Sequence, residues 1–219
     1  MATARQPLPD LRVLLVDDHK ILRRGLRGLI EEEHPRAEFG EAENSQTALE
    51  QIYSGKWDLV LLDVNIPGRS GLDVLQEIKQ VTPETPVIVI SAYPEEEFAV
   101  RALKLRAAGY LTKSCVADEL KPAMRKVLSG GRYVTASLAE RLADSLGSDL
   151  KGPLHERLSN RELQVLRLVA VGRSLKEIAA ELSLSEKTIG TYRRRIAEKM
   201  GLSTNVELAR YALQAGIVD

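Results

Sequence analysis

The stretch DLVLLDVNIPGRSGLDVL, residues 58–75, begins as an apolar run and breaks at a carboxylate. Leu59 to Leu62 has the length and the Val and Leu content of a buried strand, and Asp63 ends it. Pro67 and Gly68 follow closely, so the backbone is expected to turn just after the acid. A carboxylate at the mouth of a buried strand is the feature from which we predict both fold and function.

Short apolar runs of the same kind recur along the first half of the chain, at Leu11 to Val16, Ala37 to Ala42, Val87 to Ile90 and Gly109 to Leu111. Helix-like segments follow the runs, near residues 19–32, 44–54, 70–81, 95–107 and 116–128. Five βα units favour a parallel sheet with helices on both faces, because each crossover returns the chain over the sheet. We therefore expect a doubly wound five-stranded α/β domain of flavodoxin-like order, with functional groups at the carboxyl ends of its strands.

The strand signals stop after Gly130 and Gly131, and every later segment has a helical pattern. The stretch ASLAERLADSLGSDLKGP is helix-prone at first and is then interrupted by Gly and Pro, which is typical of a connecting helix and a linker. We predict an α/β domain over residues 1–130, a linker with a helix over 131–153 and a small all-helical domain over 154–219.

Composition sets the broad class of the protein. The 219 residues are 44% hydrophobic and 28% charged, as in a globular protein, and no apolar run is long enough to span a bilayer. Residues 1–10 do not resemble a signal peptide, so we expect a cytoplasmic protein without a membrane partner. Cys115 is the single cysteine; it excludes an internal disulfide and is more simply a packing residue than a redox group. From Pro153 onward 11 Lys and Arg face 8 Asp and Glu, a weak sign of a polyanionic partner.

Polar residues end four of the predicted strands. The first strand ends in Asp17 and Asp18, the third in Asp63 and the fourth in Ser91, while Lys113 follows the fifth by two residues. In a doubly wound sheet these groups share one edge, where the three carboxylates repel one another. Mg²⁺ takes oxygen ligands and relieves such repulsion, so the pattern predicts a magnesium site.

A carboxylate beside Mg²⁺, an ammonium and a hydroxyl is suited to accept a phosphoryl group, and Asp63 is the candidate nucleophile. Lys113 and Ser91 would meet the phosphoryl oxygens, and the turn leaves the Asn65 carbonyl free for the cation. Each group alone has a simpler interpretation: the acid pair before His19 is equally well a helix cap. Asp63 alone is more simply a loop residue, Ser91 a turn hydroxyl and Lys113 a solvated charge. Compatible groups at four strand ends favour the phosphoacceptor site.

The motifs LLVDDH, LVLLDVNIPGRSG, VIVISAY and AAGYLTKS resemble the receiver domain of two-component response regulators. The resemblance implies that Mg²⁺ is held by Asp17, Asp18, Asp63 and the Asn65 carbonyl. It further implies that Asp63 takes a phosphoryl group from a sensor histidine kinase and that Ser91 and Lys113 bind this group. Tyr110 would be the aromatic residue that swings inward on activation, with residues 95–128 as the switching surface.

In the second domain, SLKEIAAELSLSEKTIGTYRRRIAEKMG has the spacing of two helices joined by a tight turn around Ser183 to Ser185. This spacing matches a helix-turn-helix, whose second helix enters a major groove of DNA. Ser185 is the predicted N-cap of the second helix. Helical periodicity places Ile189, Ile196 and Met200 on one apolar stripe.

The opposite face of that helix carries a basic run. Its outward residues are Lys187, Gly190, Thr191, Arg194, Arg195 and Glu198, with Tyr192 or Arg193 at the edge of the stripe. A basic run alone is most often a solvated surface, but after a helix and a tight turn it indicates DNA binding. We expect Thr191 and Arg194 to lie near base edges, and Lys187, Arg193 and Arg195 near phosphates.

The stretch LSNRELQVLRLVAVGRSLKEIAAELSLSEKTI is similar to the LuxR-type output domain, and the two domains together resemble the NarL/FixJ class of response regulators. This likeness implies a transcription regulator that binds double-stranded DNA as a homodimer when phosphorylated. The last helix, Thr204 to Ala215, would contribute to dimerisation as well as to the core. Gly190 and Tyr192 depart from the family pattern, which often has a longer side chain and a histidine there, so the operator sequence is not transferable.

Two other classes of protein fit part of the pattern. A small phosphatase with an aspartyl-phosphate intermediate needs the same strand-end groups, but it also needs an acid two residues after the nucleophile, where this chain has Asn65. Alternatively, the helical domain docks on another protein rather than on DNA. Phosphomonoester turnover would favour the first alternative, and the absence of a gel shift with genomic DNA would favour the second.

Overall fold

A computed structural model describes residues 11–93, 95–135, 138–139 and 153–218. The first half forms one parallel sheet of β1 (Arg12–Val16), β2 (Glu38–Ala42), β3 (Leu59–Asp63), β4 (Val87–Ser91) and β5 (Gly109–Thr112). The strand order is β2-β1-β3-β4-β5, and every pairing is parallel. The predicted doubly wound sheet is confirmed, and its strand order reverses at β1, the kind of position where sheets of this type bind their ligands.

Five helices connect and cover these strands: α1 (Lys20–Glu31), α2 (Ser45–Ser54), α3 (Gly71–Val81), α4 (Glu95–Lys104) and α5 (Val116–Leu128). Strand β3 is buried on both faces, which explains its unbroken apolar run. Leu59 and Leu61 pack in the core under α1 and α5, whereas Val60 and Leu62 pack in the core under α2, α3 and α4. The alternation of side chains along the strand therefore divides the domain into two apolar layers.

The second half of the chain is helical where it is described. After a 3₁₀ turn at Leu154–Arg157, it forms α6 (Asn160–Ala170), α7 (Leu175–Glu181), α8 (Glu186–Met200) and α9 (Asn205–Gln214). Three of these helices begin with capping boxes, formed by Ser159 with Glu162, Ser174 with Glu177 and Thr204 with Glu207. Each box satisfies amide groups that a helix start leaves unpaired, so the serine or threonine fixes where the helix begins.

The turn between α7 and α8 has the predicted form. Ser183 adopts a left-handed conformation with φ of 53°, and the Ser185 side chain accepts a hydrogen bond from the Thr188 amide. Ser185 is thus the N-cap that the sequence predicted. Ile189, Ile196 and Met200 are the buried residues of α8, which confirms the apolar stripe.

One expected boundary turned out differently, and one expectation lies mostly outside the described residues. The helix predicted for residues 95–107 ends at Lys104, because Arg106 takes a left-handed conformation with φ of 68° and turns the chain toward β5. The connecting helix expected within residues 131–153 lies largely outside the described residues. Within the described part of the chain, no helix combines the length and apolar character needed to cross a bilayer.

The helical half packs directly against the α/β half. Buried residues of α3, α4, α6 and α8 belong to one continuous apolar cluster. The Arg101 guanidinium of α4 donates to the carbonyls of Leu158 and His155, at 2.8 and 2.5 Å. The Arg167 guanidinium of α6 lies 4.5 Å from the centre of the Tyr93 ring. Polar and apolar contacts therefore both hold α6 against the first domain.

Candidate functional site

The carboxyl edge of the sheet brings the predicted acidic residues together. Asp17 directly follows β1, and Asp63 is the last residue of β3. Both are almost fully buried, whereas Asp18 is exposed at the rim. Ser91 ends β4, fully buried, one residue beyond Ile90, the register partner of Asp63. The parallel register of neighbouring strands is the reason that residues distant in sequence share this edge.

Lys113 joins the two buried acids. Its ammonium lies 2.7 Å from Asp63 Oδ2 and 2.8 Å from Asp17 Oδ2. The Lys113 amide also donates to the Ser91 carbonyl at 2.7 Å, so the lysine is tied to the strand end that carries the hydroxyl. The structure thus brings Asp17, Asp63, Ser91 and Lys113 to one edge, as expected from the sequence.

The charges at this edge shift two pKa values. Burial raises the pKa of Asp63 to about 7; the nearby Lys113 ammonium lowers it in part, and Asp17 raises it further. Burial opposes the charge on Lys113, but Asp63 and Asp17 outweigh this effect and raise the Lys113 pKa. The pocket therefore holds its lysine charged and holds a carboxylate whose affinity for protons is unusually high.

Carboxylate oxygens of Asp17, Asp18 and Asp63 lie within 4.8 Å of one another and of the His19 ring, a spacing that accommodates a cation. His19 Nδ1 lies 2.7 Å from Asp18 Oδ1 and 3.1 Å from Asp17 Oδ1. The oxygen ligands suit a hard divalent ion. His19 was predicted only as the start of a helix, and its position directly after two acids was the available signal.

Arg23 is a second residue that the sequence analysis missed. It is one of the buried residues of α1. Its guanidinium donates to the Asp17 carbonyl at 2.5 Å and to the Glu41 carboxylate at 2.7 Å. These bonds join the end of β1 to β2 and fix the backbone that presents Asp17. A basic residue at a position that helical periodicity turns toward the sheet was the signal.

The loop after Asp63 is held close to it. The Asn65 amide donates to Asp63 Oδ1 at 3.0 Å, and the Gly71 amide donates to the Val64 carbonyl at 2.9 Å. A Cβ at position 71 would lie 2.0 Å from the Asp63 carbonyl oxygen. Only glycine permits α3 to start this close to β3, which gives a steric reason for the glycine in the opening motif.

Tyr110 lies on β5 with its side chain fully buried. Its hydroxyl donates to the Tyr93 carbonyl at 2.9 Å, and the Tyr93 ring stacks on Phe98 of α4 with the ring centres 4.7 Å apart. Tyr93 also lies under the Arg167 guanidinium of α6. The predicted switch residue therefore reaches the second domain through one intermediate residue.

Helix α8 presents the predicted basic surface. Lys187, Arg194 and Arg195 are exposed, and Gly190, Thr191, Tyr192 and Arg193 are partly exposed. Arg193 Nε donates to the Asn205 side chain at 2.6 Å, and the Thr191 hydroxyl donates to the Lys187 carbonyl at 3.0 Å. Gly190 has open space where a side chain would be. The basic residues occur together on one helix, over residues 187–195.

Two family comparisons match the two halves of the chain. Residues 13–125 match the response regulator receiver domain, and residues 156–212 match the bacterial regulatory proteins of the luxR family. Each match covers one of the structural halves described above.

Curated relatives match over nearly their full length. The chain is 34% identical to the response regulator GacA of Pseudomonas viridiflava over 210 residues, which is 95% of this chain and 98% of that protein. It is 32% identical to the response regulator UvrY of Escherichia coli K12, over 95% of this chain and 96% of the relative.

Solved structures of response regulators are also similar to this chain. RcsB from Salmonella enterica serovar Typhimurium, bound to the promoter rprA in the presence of the phosphomimetic BeF₃⁻, covers 95% of this chain and all of its own, with 26% identity and a TM-score of 0.61. A LuxR-family two-component response regulator from Aurantimonas sp. covers 63% of this chain and 99% of its own, with 30% identity and a TM-score of 0.56.

Proposed function

The chain belongs to the response regulators that join a receiver domain to a LuxR-type DNA-binding domain, and on this premise we propose that Asp63 is its phosphoacceptor. It is a phosphorylation-dependent, DNA-binding transcription regulator of the NarL/FixJ class. We also propose the residues, the metal ion and the partners through which this chain carries out that function.

The observation that carries the proposal is the convergence of buried Asp17 and Asp63 on the Lys113 ammonium at one sheet edge. Two carboxylates and one ammonium leave the net charge of this edge negative before Asp18 is counted. A divalent cation neutralises this excess, and an incoming phosphoryl group then finds positive charge on both sides.

For the cation we propose Mg²⁺, held by Asp17, Asp18, Asp63 and the Asn65 carbonyl. The carboxylate oxygens fit this ion because they are hard ligands and lie within reach of one centre. When bound, Mg²⁺ supplies positive charge that offsets the charge on phosphoryl oxygens. Arg23 has a supporting role, because it anchors the Asp17 backbone.

The phosphoryl donor is a phosphohistidine of a partner sensor histidine kinase. An Asp63 carboxylate oxygen forms a bond to phosphorus while the nitrogen–phosphorus bond breaks, and the protonated imidazole leaves as neutral histidine with the bonding electron pair. Lys113 exchanges its contact with Asp63 for one with a phosphoryl oxygen, and the Ser91 hydroxyl donates to another. Tyr110, the proposed switch residue within the switching surface, is already buried in this structure, where its hydroxyl donates to the Tyr93 carbonyl.

The output helix is α8, which we propose to lie in a major groove. Thr191 and Arg194 face base edges, and Lys187, Arg193 and Arg195 contact phosphates, with Gly190 and Tyr192 in the same surface. The exposure of Arg194 and Arg195 supports this assignment, as does the capped start of α8 after a tight turn. A regulator of this kind acts in the cytoplasm, where its promoter DNA lies.

We propose that the phosphorylated protein is a homodimer that uses α9. Val206 and Leu213 are large apolar residues seven positions apart on α9, and both are exposed. Residues seven apart lie on the same helical face, so they form one apolar strip that a second copy covers. Two copies then occupy two half-sites in direct or inverted repeat.

Beyond accepting a phosphoryl group, and slowly hydrolysing it, we assign no enzymatic activity. A phosphatase that passes through an aspartyl phosphate protonates its leaving group with an acid two residues after the nucleophile. Asn65 occupies that position, and its side-chain oxygen accepts a hydrogen bond from Gln164. An amide in this position has no proton to give at neutral pH.

The first prediction is that wild-type protein incubated with acetyl phosphate and Mg²⁺ gains one phosphoryl mass and that Asp63→Asn gains none. Asp58→Asn serves as the matched control, because Asp58 lies at the opposite end of β3 and is exposed. It should gain mass like wild type in intact-protein mass spectrometry. Uptake by the Asp63→Asn variant would show that another residue is the acceptor.

A further inference from the structure

A buried glutamine of the DNA-binding domain contacts the residues that follow Asp63. Gln164 lies on α6 and is fully buried. Its Nε2 donates to Asn65 Oδ1 at 2.7 Å and to the Val64 carbonyl at 3.3 Å. A buried amide gains more from such bonds than an exposed one, because leaving it unpaired carries a full desolvation penalty. The DNA-binding domain therefore contacts Val64 and Asn65, the two residues that directly follow the phosphoacceptor.

Arg161 extends this contact along the same loop. Its guanidinium is buried and donates to the Gly68 carbonyl at 2.7 Å and to Gln164 Oε1 at 2.8 Å, with longer contacts of 3.4 Å to the carbonyls of Ile66 and Leu182. These partners are neutral oxygens, so the cost of burying the cation is offset by hydrogen bonds to backbone. Together Gln164 and Arg161 hold the loop at Val64, Asn65, Ile66 and Gly68. We call the contacts that these two side chains make with the loop the interdomain clamp.

The receiver holds the other side of the loop. The Ser45 amide donates to the Pro67 carbonyl at 3.1 Å, and the Arg69 amide donates to the Ser45 hydroxyl at 3.0 Å. The loop therefore lies between α2 and α6 and is bonded to both. Movement of the loop away from Asp63 has to break bonds on one of these two sides.

Phosphorylation brings new atoms against this loop. The Asp63 and Ser91 side chains are almost fully buried, and the Lys113 ammonium lies against Asp63 Oδ2. A phosphoryl group adds three oxygens at this carboxylate, and they take up space that Lys113 and the loop after Asp63 now fill on its two oxygens. The Asn65 amide bonded to Asp63 Oδ1 lies in that loop, which makes the loop part of the reacting site.

We propose that Gln164 and Arg161 are positioning residues of the phosphorylation site, and that the interdomain clamp slows phosphoryl transfer to Asp63 while the two domains are docked. This inference rests on the proposed function of Asp63. The clamp acts through Asn65 and its neighbours and does not touch the phosphoryl group. The coupling is reciprocal. If docking of α6 disfavours the phosphorylated position of the loop, then phosphorylation weakens the docking of α6 by the same free energy.

The test measures the initial rate at which full-length protein gains phosphoryl mass from acetyl phosphate with Mg²⁺. In this reaction an Asp63 oxygen bonds to phosphorus while the phosphorus–oxygen bond to acetate breaks, and acetate leaves with the electron pair. We expect Gln164→Ala to react roughly five-fold faster than wild type, the factor that corresponds to one buried hydrogen bond. Asn160→Ala is the matched control: Asn160 also lies on α6 and donates across the domains at 2.9 Å, but to Asp73 of α3. Because Asp73 lies outside the loop after Asp63, this variant should accelerate less than Gln164→Ala, by no more than about two-fold.

A second pair of variants separates positioning from a general loosening of the fold. Asn65→Ala removes the side chain that Gln164 holds and keeps the backbone carbonyl, so it should also react faster. If Gln164 acts through Asn65, then Gln164→Ala should add little in the Asn65→Ala background. Equal fold increases in both backgrounds would overturn the proposal.

Other results are equally decisive. A Gln164→Ala rate equal to or below that of wild type overturns the inference, as does an Asn160→Ala variant that accelerates as much. In both cases wild type still gains mass at Asp63, so the proposed function stands. Wild type that gains no phosphoryl mass, or an Asp63→Asn variant that still gains it, overturns the proposed function and the inference together.

Discussion

At the scale of single residues, Asp63 is held in a state that suits a reaction better than stability. The carboxylate is buried, and a second acid, Asp17, shares its lysine. A structural role would favour one acid for one base. Excess negative charge on buried carboxylates is relieved when a cation or a proton binds, and both a metal ion and a phosphoryl transfer use that property.

The pH dependence of stability follows from this burial. Burial raises the Asp63 pKa to about 7, above the unfolded value of about 4, so the folded chain binds more protons than the unfolded chain between these pH values. The free energy of unfolding of wild type therefore falls as pH rises through this window. Asp63→Asn does not titrate, so relative to wild type it should gain on the order of 2 to 3 kcal/mol between pH 5 and pH 7.5.

Urea denaturation of both proteins in EDTA checks this expectation, because the chelator removes divalent ions that would compete with the proton. Asp58→Asn, at the exposed end of the same strand, should follow the wild-type curve. Parallel curves for wild type and Asp63→Asn would show that the Asp63 pKa is not raised in the folded protein.

At the scale of helices and strands, local patterns were sufficient to predict most of the fold. The β3 run and its break at Asp63 predicted a central strand with a functional end, and the structure has Leu59–Asp63 buried throughout. Ser185 predicted the start of α8 because a side-chain cap is a local interaction. The end of α4 was wrong by three residues, since a left-handed Arg106 leaves no trace in composition.

The contacts between domains were not predictable in this way. Gln164 and Arg161 follow no apolar period, and a polar residue on a helix is usually solvated. They are buried only because the loop after Asp63 offers carbonyls to them, about a hundred residues earlier in the chain. Arg23 and His19 were only partly predictable. Each lies close to the predicted acidic pair Asp17 and Asp18, but the sequence did not indicate that either residue contacts it.

Helix α8 allows a test of the DNA-binding assignment that needs no knowledge of the operator. Arg195→Ala should lower the slope of log affinity against log salt concentration by about 0.9 for each phosphate that the helix no longer neutralises, on duplexes of any sequence. The DNA affinity of wild type and of the variant should both fall as the salt concentration rises, since phosphate neutralisation releases counterions. Fluorescence anisotropy at several salt concentrations measures the slope.

Arg24→Ala provides the matched control, because Arg24 is an exposed arginine on α1 of the receiver, and its removal changes the net charge equally. Its slope should equal that of wild type. If Arg24→Ala and Arg195→Ala reduce the slope equally, then total charge rather than the α8 surface determines binding. Affinity that does not change with salt would exclude phosphate contacts by α8.

At the scale of the whole molecule, the two domains are joined by contacts of unequal strength. Arg101 is partly buried and bonds to two carbonyls at the entrance to the helical domain, and burial lowers its pKa. Lys104, one turn further along α4, makes an exposed ion pair with Glu156 at 3.3 Å. Hydrogen bonds from a buried charged donor contribute about 1.5 to 3 kcal/mol, whereas exposed ion pairs contribute about 0 to 1 kcal/mol.

Arg101→Ala should therefore shift the docked protein toward separated domains, and Lys104→Ala should not. The shift has two physical causes: the carbonyls of Leu158 and His155 lose their donor, and the 3₁₀ turn before α6 loses its anchor to α4. Small-angle scattering should show a larger radius of gyration for Arg101→Ala and an unchanged one for Lys104→Ala. If the two variants have equal dimensions, the Arg101 contacts do not hold the domains together, and docking depends on the apolar cluster and on the interdomain clamp beside Asp63.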